Sequence, residues 1–255
     1  MTDDDLAERG DANLFESWRI MASAAASGHV EEADGLLLAS CGVPVGPFNG
    51  AFITCPTDRP GHAVSRSVGY FGERDLPFLL RIREGLDRRV EAEARAAGLV
   101  PVEPLPAMAV QLDELRPRRT VRSMQIRAVR DAAGLRDHVS LLVAAFGVPF
   151  ELGMSVMGPG VVAKGLRPYV GYIDGAPVAT AALLVTGSTA GIYNVATAPY
   201  LQRRGLAGAM TLHVLAQGAE EGCVAAILQA SSMGRRLYEL MGFRDSATYL
   251  QFASP

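Results

Sequence analysis

Apolar and polar positions in the N-terminal part of the chain predict one helix followed by a pair of strands. Residues 1–12 are polar and acidic, so we expect a flexible tail there. From Leu14 onward, apolar residues recur at spacings of three and four, which predicts an amphipathic helix that Gly28 would end. Two apolar runs, 35–40 and 51–55, flank a loop rich in glycine and proline and predict paired strands.

The pattern continues to a charged segment near the middle of the chain. A strand is predicted over 64–71, a polar turn over 72–77, a helix over 77–97 that stops at Gly98, and a strand over 108–112. Residues 116–119 read Arg-Pro-Arg-Arg, which is typical of a linker. We therefore predict an N-terminal domain over 13–118 and a second domain over 122–255.

The second half has a clearer alternation of strands and helices. Asp174-Gly175 lies between two apolar runs and is typical of a tight hairpin turn. The predicted strands and helices follow the order β-α-α-β-β-β-α-β-α-β, which indicates an α/β fold with a mixed sheet. Their predicted ranges are 124–129, a helix from about 131, 150–162, 169–173, 177–186, 191–196, 203–221, 224–229, 233–241 and 248–252.

Composition narrows the classes of partner. The chain has 255 residues, 49% of them hydrophobic, and a formal net charge of -3, which gives no field that attracts nucleic acid or an anionic membrane. Its three cysteines are far apart and lack zinc-ligand spacing, so we expect neither a disulfide framework nor a metal site. With no apolar run of membrane-spanning length, we expect an untargeted cytoplasmic protein with a small partner.

The segment after the strand 191–196 has the features of an anion site. Pro199 takes the chain out of the sheet, and small residues then open a long helix whose first amides have no intrahelical partners. A phosphate at this position would meet backbone donors and two arginines, although the same pattern also fits a solvated helix cap. The residues concerned are Gln202, Arg203, Arg204, Gly205, Leu206, Ala207 and Gly208.

Two motifs in this half resemble those of the GCN5-related N-acetyltransferase (GNAT) family. Gln202-x-x-Gly205-x-Ala207 is similar to its pyrophosphate-binding signature, and residues 237–243, Leu-Tyr-Glu-Leu-Met-Gly-Phe, are similar to the segment that follows. The resemblance covers about 124–252. It implies a GNAT-like fold, acetyl-CoA as co-substrate and no metal. It also implies acetyl transfer to a primary amine of a small molecule or peptide, by direct attack through a tetrahedral intermediate.

The resemblance also assigns roles to individual residues. Tyr238 matches the tyrosine that protonates the departing thiolate, and Ser231 stands where the family usually has a CoA-binding asparagine. The general base is not visible in any motif, and Glu151 is our choice because the helices after the first strand border the acceptor pocket in the family. Backbone amides that hold the pantetheine arm and the thioester carbonyl are expected from Val195, Ala196 and Thr197.

The first half echoes the order strand, turn, long helix, glycine, strand of the second half, which suggests a tandem of related folds. Its turn at 72–77 carries two carboxylates where a pyrophosphate would lie, so we expect a degenerate GNAT-like domain without a CoA site. A domain unrelated to the family is the alternative.

For the function, the alternative is a non-catalytic acyl-CoA-binding or sensing protein. The acidic pI is compatible with aminoglycosides, polyamines or protein N-termini as acceptors. The family often pairs through its C-terminal strands, which is compatible with a homodimer.

Overall fold

The computed structural model describes residues 1–116, 121 and 123–254. In this part of the chain, a mixed sheet is covered by helices on both faces. The helices are α1 (Asp3–Ala24), α2 (Pro60–Gly72), α3 (Arg88–Ala96), α4 (Ala132–Phe146), α5 (Phe150–Met157), α6 (Pro159–Ala163), α7 (Leu206–Glu220) and α8 (Ser232–Leu240). The strands are β1 (His29–Ala33), β2 (Leu36–Ser40), β3 (Asn49–Ile53), β4 (Leu79–Arg83), β5 (Val100–Gln111), β6 (Gln125–Ala128), β7 (Arg167–Ile173), β8 (Ala176–Thr186), β9 (Thr189–Thr197), β10 (Ala225–Gln229) and β11 (Arg244–Ala253).

The predicted flexible tail at 1–12 is wrong, because these residues form the first turns of α1. Thr2 and Asp5 cap the helix reciprocally, so two of its unpaired amides are satisfied. Leu6 is 8% exposed and packs against side chains of β5 and β10. The acidic first turn is also favourable, because it lies at the positive end of the helix dipole. The few apolar residues in this polar segment lie on the helix face that contacts the sheet. A prediction from the overall composition of residues 1–12 does not detect such a face.

Two further predictions in the first half are wrong. Residues 64–71 are helical in α2, because their buried side chains recur at spacings of three and four and Pro60 starts the helix. The region 77–97 is divided into β4 and α3 by a turn at Gly85, whose φ is +80°. Asp87 caps α3 by accepting a hydrogen bond from the Arg89 amide.

In the second half, the predicted helices and strands are found in order. The helix expected from about residue 131 is α4, which Asp131 caps. The turn between β7 and β8 uses Asp174 and Gly175, both with positive φ. The predicted single helix over 150–162 is two helices, α5 and α6. Gly158 separates them in an extended conformation, with Pro159 opening the second.

The sheet is continuous across both halves, in the order β1-β2-β3-β4-β11-β5-β10-β9-β8-β7-β6. β5 from the first half lies between β10 and β11 of the second, and β11 lies between β4 and β5 of the first. Each half therefore contributes a central strand to the other. The boundary placed at residues 116–119 falls largely outside the described residues, and the division into 13–118 and 122–255 stays a prediction.

The internal repeat has a different register from the predicted one. β3 and β4 run parallel and are joined by α2, just as β9 and β10 run parallel and are joined by α7. The counterpart of the turn before α7 is therefore the segment 54–59 before α2, whereas residues 72–77 begin at the last residue of α2. The carboxylate argument made for 72–77 consequently applied to the wrong turn. The absence of a CoA site in the first half stays a prediction.

The two faces of the sheet carry different helices. Along β8, Ala179, Ala181 and Leu183 pack against α7, whereas Ala182 and Leu184 on the opposite face pack against α1 and α6. The α7 side also carries α2, α3 and α8, and the α1 side carries α4 and α5. None of the helices in the described residues is both long and apolar enough to cross a membrane.

Candidate functional site

Strands β9 and β10 separate near the middle of the sheet. Their parallel pairing extends from Thr189 opposite Ala225 to Ile192 opposite Leu228, while β9 continues to Thr197. The N-terminal half has no equivalent extension, because β3 pairs with β4 along residues 50–53 up to its last residue. The two strands are therefore unpaired beyond Ile192 and Leu228, which leaves a gap between β9 and β10.

A bulge on β9 marks the beginning of the gap. Asn194 has a φ of +55°, and the register between β8 and β9 shifts between Thr180 and Ala182. Past the bulge, the Ala198 amide donates to the Val178 carbonyl of β8 at 2.9 Å. Because amides alternate in direction along a strand, the Thr197 and Val195 amides point toward the gap.

Of the three predicted backbone donors, Ala196 is the one whose amide faces β8. Its side chain is buried in the sheet. Val195 and Thr197 thus have the orientation expected of donors to an extended ligand, whereas Ala196 contributes a small side chain to the packing beside them. The binding role of all three stays a prediction.

Two buried polar atoms at the gap lack partners in the described residues. They are Oγ1 of Thr197 on β9 and Nε2 of Gln229 at the end of β10. A buried donor or acceptor without a hydrogen bond costs about 1–3 kcal/mol, so such atoms are rare unless a ligand or water satisfies them. An amide-containing chain lying in the gap, such as the pantetheine arm of CoA, would supply both kinds of partner.

The start of α7 follows the end of β9 after a short turn. Gly205 is the N-cap, and its φ of +83° explains why glycine occupies this position. The first backbone bond of the helix runs from the Ala209 amide to the Gly205 carbonyl at 3.0 Å. The amides of the preceding residues, Leu206, Ala207 and Gly208, are therefore free of intrahelical partners and lie at the positive end of the helix dipole.

The side chains around this helix start leave it accessible to an anion. Gln202, Arg203 and Arg204 are exposed, and Ala207 is half-buried. Gly208 permits close packing of α8, since a Cβ there would lie 3.3 Å from a methyl group of Leu237. The residues present therefore fit a pyrophosphate.

Tyr238 lies on α8 beside the start of α7. Its side chain is 7% exposed, contacts Phe243 edge-on and packs over Gly234, where a Cβ would lie 3.1 Å from the tyrosine ring. Burial raises the pKa of the Tyr238 hydroxyl to about 12, with a hydrogen bond to the Thr211 side chain acting in the opposite direction. The phenol is thus protonated at neutral pH and can act as a proton donor.

The two remaining predicted site residues are less favourably placed. Ser231 is exposed, and its hydroxyl accepts a hydrogen bond from the Gly234 amide at 3.2 Å as the N-cap of α8. Glu151 is exposed in the first turn of α5. From α5, Gly153 and Met157 line the cavity described next. Ser231 as a CoA contact and Glu151 as the base stay predictions.

On the opposite face of the sheet, the gap leads into a cavity of about 530 Å³. Its walls come from both halves of the chain: α1, β4, β5 and the loop before β3, then α4, α5, α6, β9 and β10. Asn194 and Gln229 lie at the gap, and most of the remaining wall is aliphatic or aromatic. A cavity of this volume accommodates a small-molecule ligand.

Sequence reasoning missed the residues of this cavity. Trp18 and Arg81, from the first half, lie in its wall beside residues of the second half. A hydrophobic pattern that places Trp18 on a helix does not show which strand it will contact. Arg81 gave only a local signal, as a charged residue between the apolar Leu80 and Ile82.

Comparisons with known proteins agree with this geometry. The family model of the acetyltransferase (GNAT) family matches residues 155–243, which include β9, the start of α7 and Tyr238. No curated protein matches the chain.

Solved structures resemble the chain over nearly its whole length. A GCN5-related N-acetyltransferase from Kribbella flavida has 19% identity and a TM-score of 0.76, covering 98% of this chain and 96% of its own. A GCN5-related N-acetyltransferase from Sphaerobacter thermophilus has 16% identity and a TM-score of 0.65, and the match covers 96% of this chain and 93% of that one. A tandem GNAT protein from the clavulanic acid biosynthesis pathway has 13% identity and a TM-score of 0.61, and the match covers 100% of this chain and 96% of that one. These likenesses confirm the predicted fold and the two-half architecture. The family model adds a match to the acetyltransferase (GNAT) family over residues 155–243.

Proposed function

We propose that the protein transfers an acetyl group from acetyl-CoA to a primary amine of a small molecule. The observation that carries the proposal is the gap between β9 and β10, because the cavity reaches the gap at Asn194 and Gln229 and α7 begins just after β9 ends. A donor bound along α7 and an acceptor bound in the cavity would meet at this gap. Acetyl-CoA would supply an activated acetyl thioester there.

The residues at the gap have properties that suit this reaction. The amides of Val195 and Thr197 would stabilise the negative charge that develops on the carbonyl oxygen as the amine nitrogen forms its bond to carbon. Tyr238 would give its proton to the thiolate sulfur as the carbon–sulfur bond breaks. Because a thiol has a pKa of about 8.5, this proton transfer favours departure of the leaving group.

The cavity wall offers no side-chain base that could deprotonate the acceptor amine. Among the described residues, the only ionisable side chains that line the cavity are those of Arg81 and Tyr193. We therefore propose that the ammonium proton leaves through water, which would be most efficient at mildly alkaline pH. The same observation favours the second candidate, a non-catalytic acyl-CoA-binding or sensing protein.

Release of free CoA thiol in the presence of acetyl-CoA and a panel of amines distinguishes the two candidates. Amine-dependent release, with an acetylated amine detected by mass spectrometry, is the result expected of a transferase. Tight binding of acetyl-CoA by calorimetry, without release above the amine-free control, would instead support the sensing protein.

A further inference from the structure

The end of the cavity on β4 holds a buried arginine. Arg81 is 5% exposed, and its Nε donates a hydrogen bond of 2.9 Å to Oε1 of Gln251. Its Cζ lies 4.6 Å from the ring centroid of Trp18 and 5.2 Å from that of Phe52. Its Nη1 is buried and has no hydrogen-bond partner in the described part of the chain.

This guanidinium also lacks a carboxylate partner among the residues that the structure describes. Burial lowers the pKa of Arg81 to about 9, so the group still carries its charge at neutral pH. A buried, unpaired charge is strongly unfavourable unless a ligand compensates for it. The aromatic rings of Trp18 and Phe52 supply only part of that compensation.

The fold leaves room for the guanidinium. If residue 50 on β3 were not glycine, its Cβ would lie 2.8 Å from Nη1 of Arg81. Such a short contact would displace the arginine or the strand. Gln251 fixes the opposite side of the group through Nε, and its own Nε2 donates to the Glu103 carbonyl at 2.7 Å. The guanidinium of Arg81 is thus held in place in a cavity wall, as expected of a group that recognises a ligand.

Arg81 and the gap are at well-separated positions of one cavity. β11 and β5 lie between β4, which carries Arg81, and β10, which carries Gln229. At a spacing of about 4.8 Å between neighbouring strands, the axes of β4 and β10 are about 14 Å apart. The wall between them includes Leu14, Met21 and Leu105. Because the side chains of Arg81 and Gln229 occupy part of this separation, a distance on the order of 10 Å between them is left for a ligand.

We propose that the acceptor is an elongated apolar amine with a carboxylate at its other end, which binds Arg81 while the amine lies at the gap. This inference rests on the proposed acetyl transfer. A carboxylate fits better than a phosphate dianion, because the one charged group in the described cavity wall is a single guanidinium. Aminoglycosides and polyamines do not fit, since their charges would meet apolar walls and a like charge.

Non-reactive ligands test the carboxylate site independently of catalysis. Octanoate and octanamide have the same length and differ in charge, so their binding to the full chain can be compared by calorimetry. We expect octanoate to bind at least tenfold more tightly to the wild type. Arg81→Met should abolish this difference, whereas the control Arg88→Met removes an exposed arginine of α3 and should keep it.

Equal binding of octanoate and octanamide by the wild type would overturn the carboxylate site, even if Arg81→Met did not fold. An unchanged preference for octanoate in a folded Arg81→Met would overturn it too. We expect this variant to unfold at or above the wild-type temperature, because methionine replaces an unpaired buried charge.

Turnover then separates this inference from the proposed function. With acetyl-CoA, we expect kcat/KM for 8-aminooctanoate to exceed that for octylamine and for 4-aminobutanoate at least tenfold, and Arg81→Met to remove the preference over octylamine. Acetylation of octylamine as fast as 8-aminooctanoate would overturn the inference and leave the transferase intact. Arg81-dependent binding of octanoate without acetylation of any amine would overturn the transferase and leave the carboxylate site.

Discussion

The hydroxyl of Tyr193 donates a hydrogen bond of 2.7 Å to Oδ1 of Asn13 and so joins β9 to α1 one residue before the bulge at Asn194. The side-chain nitrogen Nδ2 of Asn13 donates to the Leu184 carbonyl at 3.1 Å and to Oγ1 of Thr186 at 2.8 Å. Asn13 is fully buried. The N-terminal helix is therefore fixed by polar contacts to β9, which borders the gap, and to the neighbouring strand β8.

Asn13→Ala should destabilise the protein by about 2–3 kcal/mol, because it leaves the Tyr193 hydroxyl and the Leu184 carbonyl without their partner. Urea unfolding followed by circular dichroism measures the change. Glu8→Ala, an exposed position on the same helix, is the matched control and should have little effect. Equal stabilities of the two variants would contradict a structural role for these hydrogen bonds.

Deletion of residues 2–12 should lower the unfolding temperature markedly. It removes the capped start of α1, the buried Leu6, and the contacts of Asp11 with Arg83 at 3.2 Å and with the Tyr249 hydroxyl. Burial of Leu6 alone contributes about 2 kcal/mol. Differential scanning calorimetry provides the comparison, and an unchanged unfolding temperature would restore the interpretation of this segment as a tail.

Tyr238→Phe should reduce kcat by a factor of about 10² to 10⁴, because the thiolate would leave without a proton donor. The dissociation constant of acetyl-CoA should stay within about twofold, since the phenyl ring keeps the packing against Gly234 and Phe243. Tyr200→Phe is the control, at a residue that is 73% exposed. An unchanged kcat in Tyr238→Phe would remove this tyrosine from the mechanism.

Reversal of both charges in Arg203→Glu/Arg204→Glu should weaken acetyl-CoA binding at least tenfold. The two arginines are exposed beside the start of α7, so the change should affect the electrostatic attraction of phosphates more than the fold. Calorimetry at low and high salt would show a smaller difference at high salt, because screening weakens the wild-type contacts. An affinity equal to that of the control Arg88→Glu would argue against a phosphate site here.

His138 should make stability depend on pH. Thr180 donates its hydroxyl proton to the Tyr169 carbonyl, so its oxygen accepts a hydrogen bond from Nδ1 of His138 at 2.6 Å. Burial lowers the pKa of His138 from 6.5 to about 4, and the unfolded chain therefore binds this proton more tightly. The stability that buried, neutral His138 contributes to the folded protein is fully present above pH 6.5 and is lost as the pH falls toward 4.

The loss over that pH range is about 3 kcal/mol for the wild type. His138→Leu removes the titrating group, so its free energy of unfolding should fall less steeply between pH 6.5 and 4. Urea unfolding at several pH values measures both slopes. Identical slopes would mean that His138 does not gain a proton on unfolding.

The local elements of the second half could be predicted from the sequence because their signals are short-range. Asp174-Gly175 selects a tight hairpin by its backbone preferences, and Asp131 caps its helix through a hydrogen bond three residues away. The motif around Gly205 and Tyr238 likewise lies within about 40 residues of chain. The first half has comparable signals that the prediction did not use, such as Asp34-Gly35 at the turn between β1 and β2 and Asp87 at the start of α3. Residues 64–71 could satisfy either a strand or a helix pattern until the contacts of α2 were known.

The sequence by itself therefore determined the order of elements in the second half, the helix start with small residues near Gly205, and the resemblance to an acetyltransferase. Only the tertiary structure decided the exchange of β5 and β11 between the halves, the register of the repeat and the cavity with Arg81 in its wall. The physical reason is distance along the chain. Trp18, Arg81 and Gln229 acquire a common environment only through sheet pairing and packing between remote segments, and no local pattern encodes that pairing.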